Sequence, residues 1–247
     1  MKFDNEKQAY EWLLIIHRSS IPLRRLNASK LPLGGLASGC LIDYLGKRLL
    51  LTVSHAVGNS DNWTIQVKYD PDIRQTVVYN LGSFNYLSEG TLGFSEMKDV
   101  DFAYVEIPCD LIVYMQDITP SGQCINEIQR IVFQPDFDIK PISSEIYGFS
   151  GEVLPEYIPD SSSIIVEHKI YYGLVYIRSE NSCHYFKLPV EHPGHDQFEG
   201  CSGAPIIDTK GNIVALVCGG SLETNEIWGI ALDKYKIALD ITYGGVD

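Results

Sequence analysis

The feature that most constrains this chain is a rhythm of short apolar runs broken by turn residues. From Cys40 to about Pro108 the runs read "CLIDYLG", "RLLLTVS", "WTIQVKY", "TVVYNLG" and "FAYVEIP". They are rich in β-branched and aromatic residues and too short for helices, which fits half-buried strands. An irregular connector covers roughly 109–128. A second series follows: "IVFQPDF", "SEIYGFSG", "SSIIVEHKIYYGLVYIRS", "HYFKLPV", "SGAPIID", "NIVALVCGG" and "EIWGIAL". Punctuation this regular predicts an antiparallel barrel or sandwich. The expected picture is two β modules of similar size with a cleft between them, and no internal repeat relates the two.

Helical spacing occurs only near the two ends. Residues 3–18 bring Phe3, Tyr10, Leu13 and Leu14 near one face, with His17 beside them. The stretch "LDKYKIALDIT" returns to the same period, and "NASKLPLGGLASG" breaks regularity with Pro32 and three glycines. The division expected is an N-terminal helical extension over 1–30, a first β module over 31–125, and a second over 126–247 that ends in a helix. The amino-terminal helix either plugs a barrel end or docks a regulatory protein partner.

The net charge of -13 and pI near 4.8 argue against a nucleic-acid partner, whose binding surfaces are basic. The apolar centre of the amino-terminal segment, Trp12 to Ile16, is far shorter than a secretory h-region. No run approaches the ~18 apolar residues of a membrane span. These features predict a cytoplasmic protein with no membrane partner. Six cysteines without a CxxC pair predict free thiols, no zinc site and no cofactor.

Acyl transfer at a peptide bond needs a nucleophile, a base, a group orienting that base, and donors for the oxyanion. His55 in "LLLTVSHAV" is the candidate base; a lone histidine after a strand is more often structural. Asp101 in "DVDFAYVEI" is the candidate orienting acid, with Asp99 as its competitor two residues upstream. In "FEGCSGAPIID" two nucleophiles stand side by side, Cys201 and Ser202. The small residues around Ser202 let the backbone turn sharply, so that the amides of Gly200 and Ser202 converge on a developing oxyanion. The candidates are spaced 46 residues from His55 to Asp101 and 101 from Asp101 to Ser202.

In that order and those contexts the chain resembles the chymotrypsin-fold (trypsin-like) serine peptidases. "TVSHA" matches Thr-Ala-x-His, "DFAYV" matches Asp-φ-Ala-φ-φ, "GCSGAP" matches Gly-Asp-Ser-Gly-Gly-Pro, and "SGCLID" resembles the strand before the histidine. The likeness spans about 35–243. It implies an all-β fold of two antiparallel six-stranded β-barrels with the active site between them, plus N-terminal and C-terminal helices. It implies a serine endopeptidase acting on a protein or peptide substrate, with His55 as base, Asp101 as its orienter and Ser202 as nucleophile. Cys201 then takes the family's aspartate position and points away from the histidine. Without that aspartate, and with Ala56 where a disulfide cysteine would stand, activation by a newly cut amino terminus is not expected. An intracellular, bacterial-type member is the nearer likeness.

The resemblance also places a specificity pocket: Asp196 at its base, Gly220 and Gly229 as open walls, and Cys218 in the substrate-pairing strand "VCGGS". A carboxylate beneath an open slot selects Lys or Arg, while His192 and His195 keep acidic selectivity in view. Gly219, where the family often has Trp, implies shallow neighbouring subsites. A Cys201–Cys218 bond stays open, as does a partner-gated or catalytically silent interaction module.

Overall fold

In the run Leu49-Leu50-Leu51, successive side chains of a strand must face opposite ways, yet all three are buried. Leu50 points into the first β module, whereas Leu49 and Leu51 enter a second core shared with Ile207, Leu216 and Ile230 of the other module. This strand therefore has apolar packing on both faces and forms part of the seam between the modules.

The computed structural model describes residues 3, 5–27, 32–58, 62–73, 75–90, 97–119, 123–158 and 163–244. The first module contains β1 (Ile21–Leu26), β2 (Pro32–Tyr44), β3 (Lys47–Thr52), β4 (Trp63–Asp70), β5 (Gln75–Asn80), β6 (Asn85–Gly90) and β7 (Met97–Ile107). Their order is β5-β4-β1-β2-β3-β7-β6. The two ends of this path, β5 and β6, are consecutive in the chain and joined only by residues 81–84, where Leu81 and Phe84 are buried. They are not paired with each other, so the chain and not the ladder connects the two ends of this sheet.

The sheet begins earlier than residue 31. The segment "IPLRRL" is β1, with Ile21 and Leu23 fully buried, although Pro22 and two arginines disguise it in the sequence. The connector also contributes, since β8 (Tyr114–Ile118) pairs with β9 (Cys124–Gln129) and β10 (Val132–Phe133) lies parallel to β2.

The second module is a closed barrel, β11-β12-β13-β16-β15-β14. It comprises β11 (Ile146–Ile158), β12 (Ser163–Glu180), β13 (Cys183–Lys187), β14 (Pro205–Asp208), β15 (Ile213–Ser221) and β16 (Glu226–Ala231). The architecture is thus mostly β, with few helices, as expected.

Helix α1 (Glu6–Ser19) starts at Asn5, whose side chain accepts from the Gln8 amide at 3.0 Å. Its buried face is Trp12, Ile16 and Ser19, and Tyr10 is 62% exposed. That differs from the face centred on Tyr10, Leu13 and Leu14, because the i,i+4 pair Trp12/Ile16 seats on the barrel instead. Trp12 Nε1 donates to Asp208 O at 2.7 Å, and Ser150 Oγ donates to Ile16 O at 2.7 Å. At the other end α3 (Lys236–Tyr243) places Leu239 in the seam beside Leu232 and Tyr235, while Ile237 and Ile241 are exposed.

Candidate active site

Strand β3 ends at Thr52, and two residues later the chain enters the single-turn helix α2 (Ser54–Val57), which carries His55 to the module's edge. Asp101 sits on neighbouring β7. Its Oδ2 lies 2.7 Å from His55 Nδ1, and its Oδ1 accepts from the His55 amide at 2.9 Å and from Ser54 Oγ at 3.0 Å. Burial pushes the Asp101 carboxyl up, but the bonds from His55 and Ser54 outweigh it and hold the group below its ordinary value. Asp99 is engaged elsewhere, accepting from Ser88 Oγ at 3.0 Å.

From the other module, Ser202 Oγ comes within 3.1 Å of His55 Nε2. Its turn is held by the first module: Ser38 N donates to Ser202 O at 2.8 Å and Ser38 Oγ to Gly200 O at 2.7 Å. Gly203, at φ +89, leaves no room for a side chain, since a Cβ there would strike Ser38 O and Thr52 Oγ1. Gly200 is likewise pressed against Glu152 O, at φ +100. Among the described residues, the amides of Gly200 and Ser202 have no acceptor. They remain available to a third group. Ser38, Thr52 and Ser54 were given no role in the sequence reading, although Ser38 opens "SGCLID" and Thr52 and Ser54 lie in "TVSHA".

Cys201 faces the opposite way. It is fully buried in the second barrel, with its Sγ against Gly151, and burial pushes its thiol up to about 12. All six cysteines are free. Cys218 does not meet Cys201. Its thiol bonds with that of Cys183, which together with burial and the nearby Asp101 charge holds it well above its usual range. It is half-buried and packs on the seam core.

The specificity residues are dispersed. Asp196 is exposed on the 3-10 turn His195–Gln197 of the loop "HPGHDQFEG". Gly229 is a packing glycine: a Cβ there would meet Leu216 O, Ala215 Cβ and Ile206 Cδ1 at 2.8–2.9 Å, inside the barrel. Gly220 is beside the cleft strand, with His192 Nε2 and Ile227 Cδ1 at 3.0 and 2.7 Å from its ideal Cβ. Trp228 fills the space next to Gly219, its Cζ2 at 2.7 Å from that ideal Cβ. His192 is buried, accepts from Gly194 N at Nδ1, and so carries its proton on Nε2, which has no partner among the described residues. Among the described residues, no cluster of three His, Cys, Asp or Glu could hold a metal.

Two β modules with His55 and Asp101 on one and Ser202 on the other give the chain a chymotrypsin-type fold. Solved structures place the chain there. A serine endoprotease from Yersinia pestis matches at TM-score 0.54 and 8% identity, over 99% of this chain and 68% of that one. Human heparin binding protein matches at 0.56 and 9%, over 92% of each chain. HL collagenase matches at 0.53 and 14%, over 94% of this chain and 96% of that one. No family model and no curated protein matches the sequence.

Proposed function

We propose that the protein is a serine endopeptidase that hydrolyses peptide bonds through an acyl-enzyme. The observation that carries this is the unbroken line from Asp101 through His55 to Ser202, at 2.7 and 3.1 Å. In this reading His55 Nε2 takes the Ser202 Oγ proton as Oγ attacks the scissile carbonyl carbon. The ionised Asp101 holds the imidazole tautomer and stabilises the imidazolium. The amides of Gly200 and Ser202 receive the oxyanion. His55 then protonates the leaving amine, and water repeats the sequence on the ester. Beyond Leu216 the edge of β15 facing β14 is unpaired among the described residues, apart from Val217, which bonds to Gly203 and Ala204. A peptide adding there as a strand would lie beside Ser202. A fluorophosphonate probe tests the proposal: Ser202 is labelled in the native protein, Ser202→Ala takes no label, and absence of labelling in both would favour a silent or partner-gated interaction module.

Cleavage after Lys or Arg is the finer expectation, and it rests on Asp196. Its exposure weakens that reading, because a solvated carboxylate pairs weakly with a cation. A second reading has a specific support: the buried His192 directs an unpartnered Nε2–H beside Gly220, which suits a carboxylate or amide side chain. A peptide library decides between them. Asp196→Asn should abolish a basic preference, and His192→Ala should abolish an acidic one.

Docking of a regulatory protein through α1 would have to use its outer face, around Tyr10, since Trp12 and Ile16 are spent on the barrel. The cytoplasmic location remains a proposal from composition; among the described residues no helix is long and apolar enough to cross a membrane.

A further inference from the structure

Away from the cleft, four basic side chains from four segments converge where α1 ends. His17 is in the last turn of α1, Arg24 on β1, Arg130 between β9 and β10, and His168 on β12. Arg24 and Arg130 are only 9% and 3% exposed. Arg24 forms an ion pair with Glu152 of β11, and Arg130 Nη1 donates to His17 O at 3.1 Å. The His17 and His168 rings meet edge to face with centroids 4.2 Å apart. Burial, and then the charge of Arg24, pulls the Arg130 guanidinium down to about 9. Burial also lowers both imidazoles, with His17 and Arg130 adding to the fall of His168 to about 3.

The charges here do not balance. Of the two buried guanidiniums only Arg24 has a carboxylate partner, Glu152; Arg130 has no ion pair among the described residues, and the other acid that acts on the group, Asp117, is on the exposed side of β8. Buried nitrogens are also left over: Arg24 Nη1, a donor, and His17 Nδ1 and His168 Nε2, each a donor in the tautomer that protonates it, have no partner among the described residues. A buried charge without a counter-charge is costly. A chain of net charge -13 has no shortage of carboxylates, yet among the described residues none is ion-paired with Arg130. Paired guanidiniums present planar forks that match tetrahedral and carboxylate oxygens.

We propose that this cluster is a binding site for a phosphate-type oxyanion, held between Arg24 and Arg130 with His17 and His168 at its half-buried side. The anion supplies the missing negative charge and accepts from the orphaned donors. The site is separate from Ser202 but not remote from its turn. Arg24 pairs across the sheet with Leu36, and Leu36 Cβ and Glu152 O are the atoms packed against Gly200.

Thermal unfolding of the full chain in inorganic phosphate, against chloride at equal ionic strength, tests this. A ligand that binds only the folded state raises the midpoint with concentration as RT ln(1 + [L]/Kd). The expected result is a phosphate-dependent rise in the native protein that Arg130→Met abolishes. That variant removes a buried uncompensated charge, so it should unfold no earlier than the native protein without phosphate. His168→Gln, at the half-buried side, should weaken the response at least tenfold in apparent Kd and serves if Arg130→Met does not fold. Phosphate also stabilises proteins by exclusion from their surface. A rise of equal size in the native protein and both variants is that general effect and overturns the proposal, as does no difference from chloride. A nucleoside monophosphate run in parallel separates the sources. A response at lower concentration than phosphate assigns the site to a phosphoryl group on a nucleotide, and an equal or weaker one assigns it to the free ion.

Discussion

The backbone amide of Ser38 donates to the carbonyl of Ser202 at 2.8 Å, so a strand of the first module holds the reactive turn of the second. Thr52 Oγ1 in turn donates to Ser38 O at 2.7 Å, which ties that contact to the end of β3, just ahead of His55. The three candidate groups are thus positioned by a shared strut as well as by their own hydrogen bonds. Preorganisation of this kind is what an oxyanion-stabilising site requires.

Ser202→Ala should remove peptide cleavage, with a loss on the order of 10⁶ in kcat, and Asp101→Asn should lose about 10⁴. Asp99→Asn should leave kcat close to the native value, because Asp99 is bonded to Ser88. Single-turnover kinetics on one fluorogenic peptide checks all three. Equal losses at Asp99 and Asp101 would overturn the assignment of the orienting acid.

The Asp101 carboxyl is held below its ordinary value in the folded protein. A depressed folded pKa contributes stability above the unfolded value, near ~3.9, and that contribution is lost as pH falls through the folded value. The stability difference between the native protein and Asp101→Asn should therefore shrink as pH falls below about 4, once the carboxylate is protonated in both states. Urea unfolding at a series of acid pH values measures it, and a difference that does not shrink below about pH 4 would contradict the bonding described.

Gly203→Ala should cost at least ~2 kcal/mol and abolish activity, because the backbone is left-handed there and the new Cβ strikes Ser38 O. Gly46→Ala shares the positive φ, at +75, but has open space around its Cβ. It should cost only about 1 kcal/mol. Denaturation midpoints of the two variants separate steric conflict from backbone strain.

Cys201→Ala should retain near-native cleavage while losing roughly 1 kcal/mol of stability from a small cavity in the second barrel. With its thiol at about 12 and its side chain buried, Cys201 is not a thiolate near neutral pH. A variant that folds but has lost all activity would return Cys201 to consideration as the nucleophile.

Much of the architecture was legible in the sequence because strand runs such as "RLLLTVS" and "NIVALVCGG" are locally consistent in period, propensity and punctuation. The three motifs around His55, Asp101 and Ser202 were legible for a similar reason, since small or apolar neighbours must surround each group. Strand β1 was missed because "IPLRRL" buries an arginine, Arg24, whose acceptability depends on a carboxylate 128 residues away. The face of α1 was misjudged because local spacing cannot say which of two apolar stripes will meet the barrel at Trp12 and Ile16.

The specificity residues depended on long-range placement. Asp196 was assigned by counting back from Ser202, which assumes a loop of fixed length, whereas Gly220, Gly229 and Cys218 were assigned from the motifs "CGGS", "IWGIA" and "VCGGS". Asp196 is exposed, Gly229 is packed against Leu216, Ala215 and Ile206, Cys218 lies on the seam core, and Gly220 is next to His192. The sequence by itself determined a mostly-β chain, because that depends on periodicity, and it offered His55, Asp101 and Ser202 to one another through the resemblance of their local motifs to those of the chymotrypsin-fold peptidases. Only the tertiary structure decided what each side chain faces, because burial and hydrogen-bond partners are set by strand register and by contacts between modules distant in sequence.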